Sequence, residues 1–191
     1  KIRNNFINKH LTKEITSSSK YIYFPLHTEP ERVILLNAPF YTNQISVIEN
    51  IAKSIPVGYK LLVKEHPAMK ILGWRSIFEY KQILRIPNVE LLHPSVEHEI
   101  VIKKSDLIIT IAGSSGLEAA FYGKPAIAFT KQFYSCLPSV TVLEKINDLP
   151  KTIAQSLKKK VDTCDLSKFI DVIEKNTFLV NDIDMSTDFA F

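Results

Sequence analysis

Two cysteines in 191 residues, Cys136 and Cys164, stand far apart in no metal or redox spacing. A disulfide framework is thereby set aside, and a reduced, cytoplasmic setting becomes the default. No apolar run is long enough to span a bilayer, and the charged, asparagine-rich start is not a secretory signal. The formal charge of +4 is too small to argue for nucleic acid as a partner. Its clusters, Lys103-Lys104 and Lys158-Lys159-Lys160, read as solvated faces. Also missing are a G-x-x-x-x-G-K-S/T phosphate loop, a G-x-G-x-x-G dinucleotide turn and any metal-ligand spacing. Ser115 lies in Ser-Ser-Gly rather than a G-x-S-x-G elbow, which argues against a serine hydrolase. The chain begins at Lys1 instead of methionine, so it reads as part of something longer.

What is present is an ordinary globular composition, 46% hydrophobic and 23% charged, sized for one domain with a sizeable core. Strands are expected over 21–26, 61–63, 89–92, 107–111, 126–129 and 140–143, with 33–36 a further strand or an extension of the first. Helices are expected over 44–55, ended by Pro56 and Gly58, and over 74–84, where Trp74 is an apolar marker. More follow over 96–104, from 114 or 115 onward, over 149–160, and over 166–178 with Asp165 as cap. Residues 1–20 are a polar, basic segment with a short helix. Residues 21–191 form the domain, and 179–191 are a tail that is disordered or packs on an absent domain. Strands that alternate with helices predict an α/β fold, a Rossmann-like three-layer domain with a parallel sheet of about six strands. In such sheets ligands bind beyond the carboxyl ends of the strands.

The chain is organised around Leu107-Ile-Ile-Thr-Ile-Ala-Gly-Ser-Ser-Gly-Leu-Glu-Ala-Ala-Phe-Tyr-Gly-Lys-Pro125. It reads as a buried strand, a turn at Gly113, a helix and a second turn. Free N–H groups at a helix start can hold a phosphate, and Glu118, one turn in, can accept from a ribose. The same residues also spell a capping box, in which Ser115 caps the helix and Glu118 reaches back to the cap's own N–H. Both readings stand at this point, and they are compatible if Ser114 and the free amides face a ligand.

Other polar residues collect at the same strand ends: His27 and Glu29 after the first, Glu65 and His66 after the second, His93 after the third. His66 precedes Pro67, which restricts how it projects. It can donate to a phosphate or protonate a leaving group, or else sit in a turn bonded to backbone. Lys64 and Glu65 are site residues or a surface pair worth about 0–1 kcal/mol. The His27-Thr-Glu-Pro-Glu-Arg32 cluster carries acid–base chemistry or is a solvated turn. Gly123-Lys124-Pro125 is a helix end and strand start, from which Lys124 can still reach an anion.

Taken in order, Phe24-Pro-Leu-His-Thr-Glu-Pro-Glu-Arg32, residues 41–44, Val63-Lys-Glu-His-Pro67, Ile111-Ala-Gly-Ser-Ser-Gly-Leu-Glu-Ala120 and Gly123-Lys-Pro125 resemble a known family. This is the C-terminal half of bacterial capsule and surface polysaccharide biosynthesis proteins, glycosyltransferases of the GT-B fold. Capsule Kdo transferases and bacterial polysialyltransferases are more distantly similar. The resemblance covers roughly residues 21–130. It implies a domain that binds a nucleotide sugar, commonly a CMP-activated acidic sugar, and no further cofactor. His66 would contact the phosphate and assist leaving-group departure. Gly113, Ser114, Ser115 and Gly116 would bind phosphate together with Lys64, Glu65 and Lys124, and Glu118 would take the ribose. His27 and Glu29 match a motif of catalytic character. Ser-Ser-Gly-Leu replaces the more usual Thr-x-Gly-Trp, keeping the hydroxyl and the glycine.

The resemblance further implies a glycan or glycolipid acceptor held by an N-terminal domain. None precedes Lys1, so little transfer is expected from this chain alone. It also implies a cytoplasmic location at the inner membrane face, which the basic residues of 1–20 and 158–160 suit. Two other classes compete: a sugar-nucleotide epimerase or polyol-phosphate polymerase of the same fold, and a non-catalytic nucleotide- or anion-binding module.

Overall fold

A computed structural model describes residues 2–16, 18–29, 32–73 and 75–177. Trp74, Pro30, Glu31 and the tail at 179–191 lie outside the described residues, as does Phe178. In chain order the elements are α1 (Ile2–His10), β1 (Lys20–Pro25), α2 (Arg32–Asn37), α3 (Gln44–Ser54), β2 (Tyr59–Lys64), α4 (Met69–Leu72), α5 (Ile77–Leu84) and β3 (Val89–Leu92). They continue with α6 (His98–Lys104), β4 (Leu107–Thr110), α7 (Ser115–Phe121), β5 (Ala126–Ala128), β6 (Val140–Val142), α8 (Leu149–Ser156) and α9 (Thr163–Asn176).

The six strands form one sheet in the order β3-β2-β1-β4-β5-β6, and all five pairings are parallel. The order reverses between β1 and β4, and a crevice opens beyond the strand ends at such a point. Successive side chains of a strand face opposite sides, and both sides here are apolar. Ile22, Phe24, Leu61, Val63, Ile109 and Ile127 face a layer holding Val47, Ile48 and Ile51 of α3, Ile83 of α5 and Ile153 of α8. Tyr21, Tyr23, Leu62, Ile108, Ala126 and Ala128 face Val101 and Ile102 of α6, Ala119 and Ala120 of α7, and Leu166 of α9. Each fully buried Val, Leu, Ile or Phe among them stabilises the fold by about 1.5–3 kcal/mol. This is the expected three-layer α/β domain.

Four local expectations need correction. Residues 33–36 are helical, within α2, because β1 already pairs with β2 on one side and β4 on the other, leaving no lane for another strand. The helix expected from 74 starts at Ile77, where Ser76 and Glu79 form a reciprocal capping box. The last helix is capped by Asp162, whose carboxylate accepts from Cys164 N at 2.9 Å, rather than by Asp165. Val96 precedes α6, which begins at His98. Residues 2–16 pack against the domain, with Ile7, Leu11 and Ile15 buried. No helix among the described residues is long and apolar enough to cross a membrane.

Candidate functional site

Beyond the ends of β1, β2 and β4 lies a cavity of about 430 Å³. Its walls include Tyr23 and His27 from β1 and its loop, Lys64, Glu65 and His66 from β2, His98 from α6, and Thr110, Gly113, Ser114, Ser115 and Glu118 from β4 and α7. The chain thus brings together seven of the residues singled out above, from three separate strand ends, with the backbone of Gly113 at the turn. Gly113 fits because a Cβ there would sit 2.9 Å from Thr110 Oγ1 and 3.1 Å from His27 Nε2.

Lys64 and Glu65 are 5% and 3% exposed, which overturns the surface-pair alternative. They face opposite sides, as strand alternation requires. Glu65 is neutralised from below: Arg75 Nε lies 3.0 Å from its Oε2, Tyr80 OH donates to the same oxygen at 3.2 Å, and His66 N donates to Oε1 at 3.0 Å. The Arg75 Nε contact is one of charge, since that N–H has no hydrogen-bonding partner. Burial pushes the Glu65 carboxyl up, against the pull of Arg75. Among the described residues Lys64 has no ion-pair partner. Burial lowers the pKa of its ammonium, opposed by the charge of Glu65.

Glu29 does not line the cavity. Its Oε2 is 2.6 Å from Arg75 Nη1 and its Oε1 accepts from Gln44 Nε2 at 2.7 Å. Gln44 and Arg75 also hold the backbone of His27, through His27 N to Gln44 Oε1 at 2.8 Å and Arg75 Nη2 to His27 O at 2.6 Å. The loop cluster is therefore buried at His27 and tied down at Glu29, rather than a solvated turn. The His27 ring accepts from Ala112 N at Nε2, 3.3 Å away, which puts the ring proton on Nδ1. Burial, with the charges of His66 and Arg75, lowers its pKa to about 4. Nδ1 is buried and without a partner among the described residues.

The His66 ring is exposed, and its Nδ1 accepts from Ala68 N at 3.2 Å. The backbone-bonded turn is real, and it leaves the Nε2–H free as a donor. Burial and the nearby Lys64 and His98 lower its pKa. The second His-Pro dipeptide lies apart. His93 Nδ1 pairs with Ser95 Oγ at 2.6 Å and its Nε2 with Asn8 Oδ1 at 2.9 Å, in the wall of a neighbouring cavity of about 420 Å³.

At α7 the capping box does not form. Ser114 occupies the cap position with no side-chain bond to the backbone N–H groups of the helix. Glu118 Oε1 instead accepts from Ser114 Oγ at 2.6 Å, and its Oε2 lies 2.8 Å from His98 Nε2. The His98 bond, with that of Ser114, holds the Glu118 carboxyl below the usual range. Ser115 Oγ is buried without a partner among the described residues. Gly116 faces away from the cavity, where a Cβ would meet the Tyr134 ring at 2.7 Å. That tyrosine also bonds Gly113 O, so Gly116 serves packing. Lys124 is not brought to the site: it precedes β5, at the opposite edge of the sheet, where its N–H closes α7 on Ala119 O.

Tyr23 and His98 line the cavity, while Gln44, Arg75 and Tyr134 hold the backbone of His27 and Gly113 behind it; the sequence alone assigns none of the five to the site. Of these, Gln44 alone has a trace in the sequence, at the end of the 41–44 stretch that carries the family resemblance, and it is buried on α3. Among the described residues no group of three His, Cys, Asp or Glu side chains could hold a metal ion. The chemistry on offer is donation: an unpaired ammonium, an imidazole N–H and a free hydroxyl, with each nearby carboxylate already engaged. Such a cavity suits an anion.

Sheet order and crevice define the class, a Rossmann-like domain of the GT-B kind. The chain belongs to the capsule polysaccharide biosynthesis protein family, which it matches over residues 1–173. Among solved structures it is similar to Thermosulfurimonas dismutans KpsC, beta Kdo 2,7 transferase, at 16% identity and a TM-score of 0.55, over 81% of this chain and 46% of that one. Methanocaldococcus jannaschii UDP-GlcNAc 2-epimerase is similar at 16% identity and a TM-score of 0.55, over 90% of this chain and 48% of the other. Spinosyn rhamnosyltransferase SpnG follows at 14% identity and 0.52, over 87% of this chain and 43% of the other. The chain thus spans under half the length of these three proteins. At such identities the likeness is one of fold. No curated protein matches the chain.

Proposed function

We propose that this chain is the donor-binding half of a glycosyltransferase of capsule or surface polysaccharide synthesis, and that its donor is a CMP-activated acidic sugar. The phosphate lies over Lys64, His66, Ser114 and Ser115, and the ribose against Glu118. The observation that carries this reading is the convergence of partnerless donors, Lys64, Ser115 and the His66 Nε2–H, on one cavity. Transfer breaks the bond between the sugar's anomeric carbon and a phosphate oxygen, and negative charge grows on the departing nucleotide. Donors already aimed there lower the barrier, because no reorganisation is needed as the charge develops. His66 supplies a hydrogen bond from Nε2–H to that phosphate. His27 and Glu29 shape the loop beneath it.

The acceptor, a glycan or glycolipid, is held by a second domain of similar size, with the assembly peripheral to the membrane. The family assignment and the KpsC likeness favour transfer. The epimerase likeness keeps a sugar-nucleotide epimerase as the alternative. Titrating the chain with CMP, CDP, UDP and GDP distinguishes them. CMP is expected to bind tightest, a clear preference for UDP would move the assignment to the epimerases, and no binding by any of the four would sink both. In the full-length enzyme His66→Ala is expected to depress kcat with folding intact.

A further inference from the structure

One line of side chains runs from the core to the lip of the cavity. Tyr23, on β1, is 1% exposed, and its hydroxyl lies 2.9 Å from His98 Nδ1. The two rings pack edge to face, 5.4 Å apart. His98 Nε2 then meets Glu118 Oε2 at 2.8 Å, and Glu118 Oε1 takes the Ser114 hydroxyl at 2.6 Å. Burial keeps the Tyr23 phenol protonated and able to donate to Nδ1, and the Glu118 carboxylate, an acceptor only, takes the proton-bearing Nε2. A neutral ring that accepts at Nδ1 carries its proton on Nε2 and donates to the carboxylate. The phenol and the carboxylate thus favour the same tautomer, and that tautomer holds the carboxylate in place. A carboxylate has about four acceptor positions. With one on each oxygen occupied, one on each remains for two neighbouring hydroxyls.

We propose that His98 is a positioning residue that aims Glu118 at the ribose, so that the Tyr23–His98–Glu118 line selects nucleotides with both ribose hydroxyls. The proposal rests on the nucleotide reading above. It does not require His98 to touch the ligand.

Calorimetry with CMP and 2′-deoxy-CMP tests it. The unaltered chain is expected to favour CMP by roughly 10-fold, the size of one charge-assisted hydrogen bond. His98→Phe keeps a ring against Tyr23 and removes both nitrogens, and the preference is expected to fall to about 2-fold or less. His98→Gln, whose amide can donate to Glu118, restores part of it. Glu118→Gln also abolishes the preference, and adding His98→Phe to it changes nothing more, because the two act as one unit. A merely structural role would weaken both ligands alike and leave their ratio intact. CMP binding with the ratio unchanged in His98→Phe overturns the role of His98 alone. Failure of the unaltered chain to bind either nucleotide overturns the nucleotide reading, and this proposal with it. Should His98→Phe not fold, Tyr23→Phe reads the same ratio, with a smaller loss expected.

Discussion

Two segments of this chain spell Ser-x-x-Glu at a helix start, and they do opposite things. At α5, Ser76 Oγ accepts from Glu79 N at 3.2 Å while Glu79 Oε2 accepts from Ser76 N at 2.8 Å. The helix satisfies itself. At α7 the same spelling, Ser115 to Glu118, leaves Ser115 Oγ without a partner and turns Glu118 outward to Ser114 and His98. A helix start that is not closed on itself is available to something else. The distinction recurs among the charges. Arg75 sits between Glu29 and Glu65 with its charge answered inside the protein, whereas Lys64, across the same strand end, has none of the five ion pairs of the described residues. Closed sets of partners hold the loop, and open ones face the cavity.

The comparison breaks most visibly at Arg75. Arg75→Leu would strand two carboxylates, one of them buried, and is expected to cost about 3–5 kcal/mol in denaturant unfolding. A loss under about 1 kcal/mol would mean that the network contributes little to the fold.

Next in size is a pH effect at His27. Its folded pKa of about 4 lies below the unfolded value of 6.5, so the unfolded chain binds the extra proton between those two values. Stability is therefore full above pH 6.5, falls as pH drops toward 4, and is level below that. The span corresponds to about 3 kcal/mol. Unfolding measured across that range is expected to show this slope in the unaltered chain and a flatter one in His27→Gln.

Lys64→Met tests the open side. The depressed lysine pKa means that burying the charge opposes folding at neutral pH, a cost relieved only as pH climbs toward the ordinary lysine range. The variant is expected to be at least as stable as the parent while nucleotide affinity falls by roughly 10-fold or more. Equal affinity would remove Lys64 from the site.

The smallest effects sharpen the comparison where it began. Ser76→Ala is expected to cost about 1 kcal/mol of stability with nucleotide binding unchanged. Ser115→Ala removes a hydroxyl that bonds nothing, so stability should hold while affinity drops. Were the two serines to behave alike, the contrast between the helices would be empty.

Periodicity and order made much of this legible in advance. Buried strands read as apolar runs, and strand ends as the places where histidines and serines interrupt them, because a parallel sheet exposes polar groups only at its edges. The sequence leaves the capping box open for a definite reason. Whether Glu118 turns inward depends on His98, twenty residues earlier and on another helix, and spacing along the chain carries no trace of that pairing. The same holds for Arg75, 48 residues from the carbonyl of His27 that it grips. Residues 33–36 failed differently, since their apolar run suits a strand, and only the occupied flanks of β1 decide against it.

The N-terminal segment has a consequence for how the chain can be handled. Thr12 N donates to Leu91 O at 2.9 Å and His93 N to Thr12 O at 2.8 Å, a parallel bridge alongside β3 at the outer border of the sheet. Unpaired strand borders invite pairing between molecules. A chain trimmed to begin at Tyr21 would uncover Leu91 and Leu92 together with the backbone groups that Thr12 now occupies. Such a chain should self-associate on concentration.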